Sequence, residues 1–526
     1  MKIIKITNLL SITVLTVSLT FLSACDGEGS SVDEPTFSGL VFLADAEVDG
    51  RRELYQAEKN GSNLNKLAEA DLPNGEIQDF RVSPDKKYVA FRAGVVSSGF
   101  IELFVVSLLD GTAPVKVSNL VFAGGSIESN YRWSPDSNLI AYLADQDTDG
   151  LSELYRVFSN GTGNQKLSGT LAPDGDVSRF KWSPDSMRIA YRAARDELNK
   201  YALYTVLIDG TENLNVSGTL PFGGGIRSFQ WSPNSRLIAY KTNKDVLDDF
   251  NLYIVLTGNT TSPLKLPGEM ASDGETYQWS PDSTKIAYIA EKNSSNVFEL
   301  YSVLGDGSNN TKISGPLISG GDVFSGFQWS PDSLQVAYRA DQSTNGVTEL
   351  YSVFADGTLN VKVSGTLVAG RTVQAGFQWS PKNTYIAYLA DQDNDNVLEL
   401  YNVLANGMDN MRLSSPMQPE GDVLSFQWAP DGHRIAYRAD QETNNVVEIY
   451  TVLALGGGNT KVSGSLITNG STQRFIWSPD SNRIAYTADQ DFYRDVELYS
   501  VNPDGTNNSK VSGPLVTDGD VSTFAW

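Results

Sequence analysis

One cysteine and one histidine in 526 residues leave little room for several common chemistries. A single cysteine excludes an internal disulfide, and so few of both residues exclude a His- or Cys-rich metal centre. A Ser-His-Asp triad could draw its base only from His433, which follows Pro430-Asp431-Gly432, a hairpin-tip sequence. No Gly-x-Ser-x-Gly elbow is present. Basic residues are scarce as well. Forty Lys and Arg against 63 Asp and Glu give a net charge of −23, which argues against a nucleic-acid partner. That charge fits a soluble, cation-attracting surface. Helical periodicity is missing beyond the N-terminal segment.

What is present is a repeat. Trp133-Ser134-Pro135-Asp136-Ser137, followed by Ile140-Ala141-Tyr142, returns at Trp182, Trp231, Trp279, Trp329, Trp379, Trp428 and Trp477. Val82-Ser83-Pro84-Asp85 prefigures it, and Trp526 begins a copy that ends there. Successive copies start 51, 49, 49, 48, 50, 50, 49, 49 and 49 residues apart. Such a period outranks the length prior of several domains, because repeat units stack into one body.

Within the unit from Phe180 to Trp231, Phe180-Lys181-Trp182 reads as a first strand and Ser183-Pro184-Asp185-Ser186 as a turn. Ile189–Ala193 reads as a second strand, with large residues on one face and small ones on the other, and Ala202–Val206 as a third. Asp209-Gly210 suits the positive-φ positions of a tight hairpin, and Leu214–Ser217 reads as a fourth strand. Asn-Gly or Asp-Gly recurs there at Asn60, Asp110, Asn160, Asp306, Asp356, Asn406 and Asp504. Four short antiparallel strands per ~49 residues make one propeller blade.

This phrase, with Glu-Leu-Tyr-x-Val and a Gly turn after it, resembles the TolB-type β-propeller repeat, which also builds the propellers of prolyl oligopeptidase-like enzymes. The resemblance covers residues 39–526. TolB itself carries an N-terminal α/β domain without a counterpart here, so its translocation role and its partner Pal do not carry over. The fold class expected is all-β. The chain enters at a second strand, Leu40–Ala44, and leaves on an orphan first strand, Val521–Trp526. The last strand is therefore expected to complete the first blade, closing a ring of about ten blades. Ten exceeds the usual four to eight, and two tandem smaller propellers are the rival arrangement.

Residues 1–24 read as a lipoprotein signal peptide. Lys2 and Lys5 precede an apolar run from about Leu9 to Leu22, too short for a good membrane span. Leu22-Ser23-Ala24-Cys25 resembles a lipobox, which implies fatty acyl chains such as palmitate on Cys25. Asp26 resembles the inner-membrane retention signal of enterobacterial lipoproteins, a rule that depends on the organism. Residues 25–38 read as a flexible tether. The address expected is a bacterial cell envelope, lipid-anchored to a membrane.

The loop between second and third strands carries the candidate metal chemistry. Asp145, Asp147, Asp149 and Glu153 occupy positions one, three, five and nine, with Gly150 at six. Asp45, Glu47, Asp49 and Glu53 repeat the pattern, as do Asp391, Asp393, Asp395 and Glu399. Ca²⁺ takes six to eight oxygens, so these loops are expected to wrap it, and they resemble the calcium loops of integrin-type propellers. They are not EF-hands, since position twelve holds Gln56, Arg156 and Asn402. Degenerate versions begin at Asp341, Asp440 and Asp489. The alternative is a solvated Asp-rich turn. Glu102 favours it, because it keeps the ninth-position acid in a loop without other carboxylates.

No catalytic residue is singled out. The expected function is a non-catalytic scaffold binding an envelope protein or a glycan. An envelope polysaccharide-active enzyme using loop carboxylates and calcium is the alternative, and mechanical or adhesive spacing at the cell surface is a third reading.

Overall fold

The computed structural model describes residues 36–526, apart from 69–75, 96–99, 120–124, 196, 248, 259–261, 271–275, 292–296, 368–369 and 493–494. The signal segment and Cys25 lie outside the described residues. Among those described, the chain forms forty strands and no helix, sorted into ten four-stranded antiparallel sheets. These are the ten blades of one β-propeller. Blades 2 to 10 each use four consecutive strands. Blade 1 pairs Asn65–Ala68, Glu53–Ala57 and Leu40–Ala44 with Val521–Ala525. Its register sets Val41 against Ala525 and Phe42 against Phe524, so the C-terminal strand closes the ring.

Blade 4 shows the local logic. Its strands are Val177–Trp182, Arg188–Ala193, Ala202–Leu207 and Leu214–Asn215. The fourth is shorter than the sequence suggests. The amides of Val216 and Ser217 converge on the same carbonyl, Leu203 O (2.9 and 3.4 Å), and Ser217 Oγ accepts the Leu203 amide at 3.0 Å. A hydroxyl thus takes over where the ladder would have continued. The Asp209-Gly210 connection is also wider than a two-residue hairpin. Gly210 has φ +86° but Asp209 does not leave the ordinary region, and the next positive φ falls at Glu212. The extra length lets Asn213 reach the neighbouring blade, where its Nδ2 donates to Leu167 O at 2.8 Å.

Inside each blade a second-strand and a third-strand aromatic ring stack directly across the ladder. Tyr142 and Tyr155 have centroids 5.5 Å apart, and the other nine blades carry equivalent pairs. Between blades, buried apolar clusters occupy each junction in turn. The last includes Leu40 and Phe42 of blade 1 with Ala485 and Leu498 of blade 10. One unbroken circuit of cores excludes two tandem propellers.

The repeat phrase is the fastening between blades. Each of the nine tryptophans donates its Nε1–H to a first-strand carbonyl of the preceding blade, at 2.9–3.4 Å, from Trp133 on Arg81 O to Trp526 on Ile476 O. The turn makes the return tie: Asp85 N–H donates to Ser137 Oγ of the next blade at 3.0 Å. Ser137 sits at φ +66°, a conformation that costs a side-chain-bearing residue something and is held here by that contact.

Candidate functional site

The nominated loops join second to third strands and so gather at one end of the blades. Their ninth-position acids are not loop residues at all. Glu53, Glu153 and Glu399 each open a third strand and point into the blade, 2 %, 2 % and 0 % exposed. Glu53 Oε2 accepts from Tyr55 OH at 2.6 Å, and Lys66 lies 3.3 Å from its other oxygen. Glu153 is held by Tyr155 and Lys166, and Glu399 by Tyr401 and Arg412, the latter at 2.8 Å. Burial, then the bonded carboxylate, pushes the Tyr155 and Tyr401 phenols far above their ordinary value. Glu102 explains its own presence: it pairs with Lys116 on the fourth strand at 3.1 Å. In blade 5, which lacks this Glu, Asp245 takes both partners, Tyr253 OH and Lys265, at 2.5 Å each.

The first-position acids are clips. Asp145 Oδ1 accepts the Ser126 amide at 2.6 Å and Asp391 Oδ1 the Thr372 amide at 2.8 Å, each just before the first strand of its own blade. Asp45 accepts the Asp520 and Gly50 amides. Asp341 and Asp440, in the degenerate loops, do the same for Asp322 and Asp422. The acids between the ends are exposed and lean on cations: Glu47 on Lys66 (2.7 Å), Asp147 on Lys166 (3.8 Å), Asp393 on Arg412 (3.7 Å) and Asp395 on Arg371 (4.0 Å). Asp49 and Asp149 are exposed too. The four acids of a loop are therefore divided among separate partners. Among the described residues, no three His, Cys, Asp or Glu side chains are grouped to hold a metal ion. As arranged, the loops do not offer the six to eight converging oxygens of a Ca²⁺ site.

At the ring seam, burial together with Asp45, Asp495 and Asp49 pushes the Asp520 carboxyl upward, against the Val496 amide that donates to it. At the opposite end of the same seam the contacts are polar as well. Lys59 of blade 1 pairs with Asp480 of blade 10 at 2.6 Å, and Arg483 Nη2 donates to Lys59 O at 2.8 Å. His433 lies at its hairpin tip beside Lys382 Nζ (2.9 Å).

Sequence reasoning passed over the wall of the ring. First strands are the sheet edges nearest the axis, and their side chains reach the next blade. Gln328 Nε2 donates to Phe377 O at 2.6 Å and Gln378 Nε2 to Phe426 O at 3.2 Å. Aligning the ten repeats on their tryptophan would have exposed this column.

No protein-family model and no curated protein matches the chain. Among solved structures, it is similar to a eukaryotic initiation factor, with a TM-score of 0.50 and 11 % identity over 93 % of this chain and 98 % of that one. Dipeptidyl peptidase 4 from Porphyromonas gingivalis matches at TM-score 0.46 and 14 % identity, over 82 % of this chain and 58 % of that one. A prolyl endopeptidase matches at 0.38 and 12 %, over 66 % and 50 %. The chain thus spans about half the length of these two peptidases. At such identities the first likeness is one of fold.

Proposed function

We propose that the protein is a non-catalytic TolB-type propeller of a bacterial cell envelope, anchored through lipid on Cys25, that binds an envelope protein or glycan. The carrying observation is how the repeat residues are used. The recurring Trp, Ser, Asn and Glu residues are consumed in ties within or between blades, leaving a closed rigid frame. Variation is left to the loops and the ring wall, the parts of a propeller that carry recognition. Calcium enters this reading only as a stabiliser of three loops, and binding it would draw the mid-loop acids away from Lys66, Lys166 and Arg412.

The test is a pull-down from envelope extracts with the anchored full chain, beside a Cys25→Ser variant. The variant is expected in the soluble fraction without acyl label, while the parent captures a partner. Release of reducing ends from envelope polysaccharide by the parent chain would overturn the non-catalytic reading. A Cys25→Ser protein that stays labelled and membrane-bound would overturn the anchor.

A further inference from the structure

In a chain of net charge −23, cations are gathered on one arc of the ring wall. The residue before the repeat Trp, or before Val82 in its place in blade 2, is Gln in blades 5 to 9 but Arg81, Arg132 and Lys181 in blades 2 to 4. Arg81 still makes a long inter-blade contact, its Nη2 donating to Ser129 O at 3.3 Å. Arg132 does not: its Nη1 donates to Tyr131 O of its own strand, and its head is exposed. Lys181 lies over the Phe229 ring at 5.8 Å, also exposed.

Blade 4 adds a stronger sign. A bulge between Val177 and Arg179 sets Arg179 directly opposite Arg192 in the ladder. Like charges facing one another across an antiparallel pair are destabilising. In blade 2 the equivalent of Arg179 is Asp79, which pairs with Arg92 at 2.5 Å. Neither Arg132 nor Arg179 has a carboxylate within 4.0 Å among the described residues. Burial, then Arg179 and Arg227, depresses the Arg192 guanidinium, and burial, then Arg81, that of Arg132. Within the ring this crowding is offset in part, by Asp79 near Arg132 and by the Tyr201 ring 4.5 Å from the Arg192 guanidinium. A cleft of about 270 Å³ opens at this point, lined by Asn130, Arg132, Arg179, Lys181, Ser228 and Phe229.

We propose that this cleft binds a short anionic oligosaccharide, its carboxylate or sulfate groups on Arg132, Arg179 and Lys181 and its hydroxyls on Asn130 and Ser228. The inference rests on the glycan branch of the function proposed above. Repulsion that the fold tolerates in one blade is relieved when an anion enters. The same ring position is filled in blades 5 to 8 by a glutamine whose side chain bonds to the next blade, so the cations are not required by the frame. A long phosphate polymer suits the site poorly, because the arc covers three of ten blades and the rest of the molecule repels it. Amide and hydroxyl donors beside the cations match sugar hydroxyls.

The test is fluorescence anisotropy of the full chain in detergent with a short labelled oligogalacturonate. The neutral oligosaccharide of equal length, an acidic peptide and a single-stranded DNA oligomer serve as competitors. Binding is expected to weaken with salt and to fall about tenfold or more in Arg132→Gln/Arg179→Gln/Lys181→Gln. Lys285→Gln, remote from the cleft, should bind as the parent does. Gln is what other blades carry in place of Arg132 and Lys181, and Arg179→Gln removes a like charge facing Arg192, so the triple variant is expected to melt like the parent, which separates lost binding from lost fold. Equal affinity of the triple variant, or preference for the neutral sugar, the peptide or the DNA, would overturn the site. If the parent binds no anionic sugar while the envelope pull-down still yields a protein, this inference falls and the scaffold reading stands.

Discussion

Two stretches of the same ring wall treat one structural position differently. From blade 5 to blade 9 the residue before the tryptophan is a glutamine, and Gln230, Gln328 and Gln378 each donate to a carbonyl of the next blade. From blade 2 to blade 4 it is a cation: Arg132 turns back to a carbonyl of its own strand, and Lys181 lies over the Phe229 ring of the next blade. In the tenth blade and at closure it is apolar, Ile476 and Ala525. A repeat protein solves its folding problem once and copies the solution. A run of blades that departs from it therefore points to something other than folding. Neighbouring fastenings survive the departure, since Trp182 and Trp231 still donate to Arg132 O and Lys181 O.

The largest test of the comparison is whether these stretches stand or fall together. Deleting Val521–Trp526 removes one strand of blade 1, outside both stretches. Phe524 is 2 % exposed, and its burial alone contributes about 2–3 kcal/mol. If the ring is one cooperative body, calorimetry of the deletion should show a single, strongly lowered transition. An unchanged transition would mean that the ends do not hold the ring.

Calcium sharpens the comparison next, because the three acid-rich loops fall one to each region: blade 1 at the seam, blade 3 in the cationic arc, blade 8 in the glutamine arc. A site saturated a hundredfold would add about 2.7 kcal/mol by mass action. Ca²⁺, not Mg²⁺, is expected to raise the melting temperature over a chelator control, and Asp147→Ala and Asp393→Ala should each remove a share. Superimposable melting curves with chelator and with Ca²⁺ would leave these loops as acidic turns with protein partners only.

Much of the fold was legible because the tryptophan phrase recurs at a nearly fixed period. The ring closure followed from ends that complement each other. What a single repeat could not tell is why the tryptophan is there, since its Nε1 contact runs to a blade fifty residues away. The ninth-position acids of the loops could not be placed from spacing alone, for a directional reason. Glu53, Glu153 and Glu399 lie on a strand whose pleat turns them inward, so their spacing in the sequence does not put them around one point. The fourth strands shrank because a serine hydroxyl replaces ladder bonds, a substitution that alternation cannot reveal. The cationic arc was readable in principle, but only by comparing the same column across ten blades.

A smaller effect separates tie from cation directly. Gln328→Ala and Gln378→Ala each lose an inter-blade hydrogen bond and should cost about 1 kcal/mol in urea unfolding. Lys181→Ala should stay within about 0.5 kcal/mol. Equal losses at all three positions would make the cations structural after all and remove the contrast between the arcs.

The smallest effect belongs to the seam and appears only in acid. Burial opposes ionisation of Asp480, but hydrogen bonds from Lys59, Ser478 and Asn482 outweigh it and hold the carboxyl well below the usual carboxylate range. A carboxyl depressed in the folded state binds its proton more weakly there than in the unfolded chain. Its stabilisation is complete above the unfolded value, about 3.9, and disappears as pH falls through the folded one. Both partners are about a third or more exposed, so the contribution stays below about 1 kcal/mol. Lys59→Met should therefore flatten part of the fall in melting temperature between about pH 5 and pH 2. Burial opposes ionisation of Asp282, at the equivalent turn of blade 6, but hydrogen bonds from Ser280 and Thr284 outweigh it, and among the described residues no inter-blade cation bonds to it. It keeps its share of the acid slope in that variant. Identical pH profiles for Lys59→Met and the parent would show that Lys59 and Asp480 do not fasten the first blade to the last.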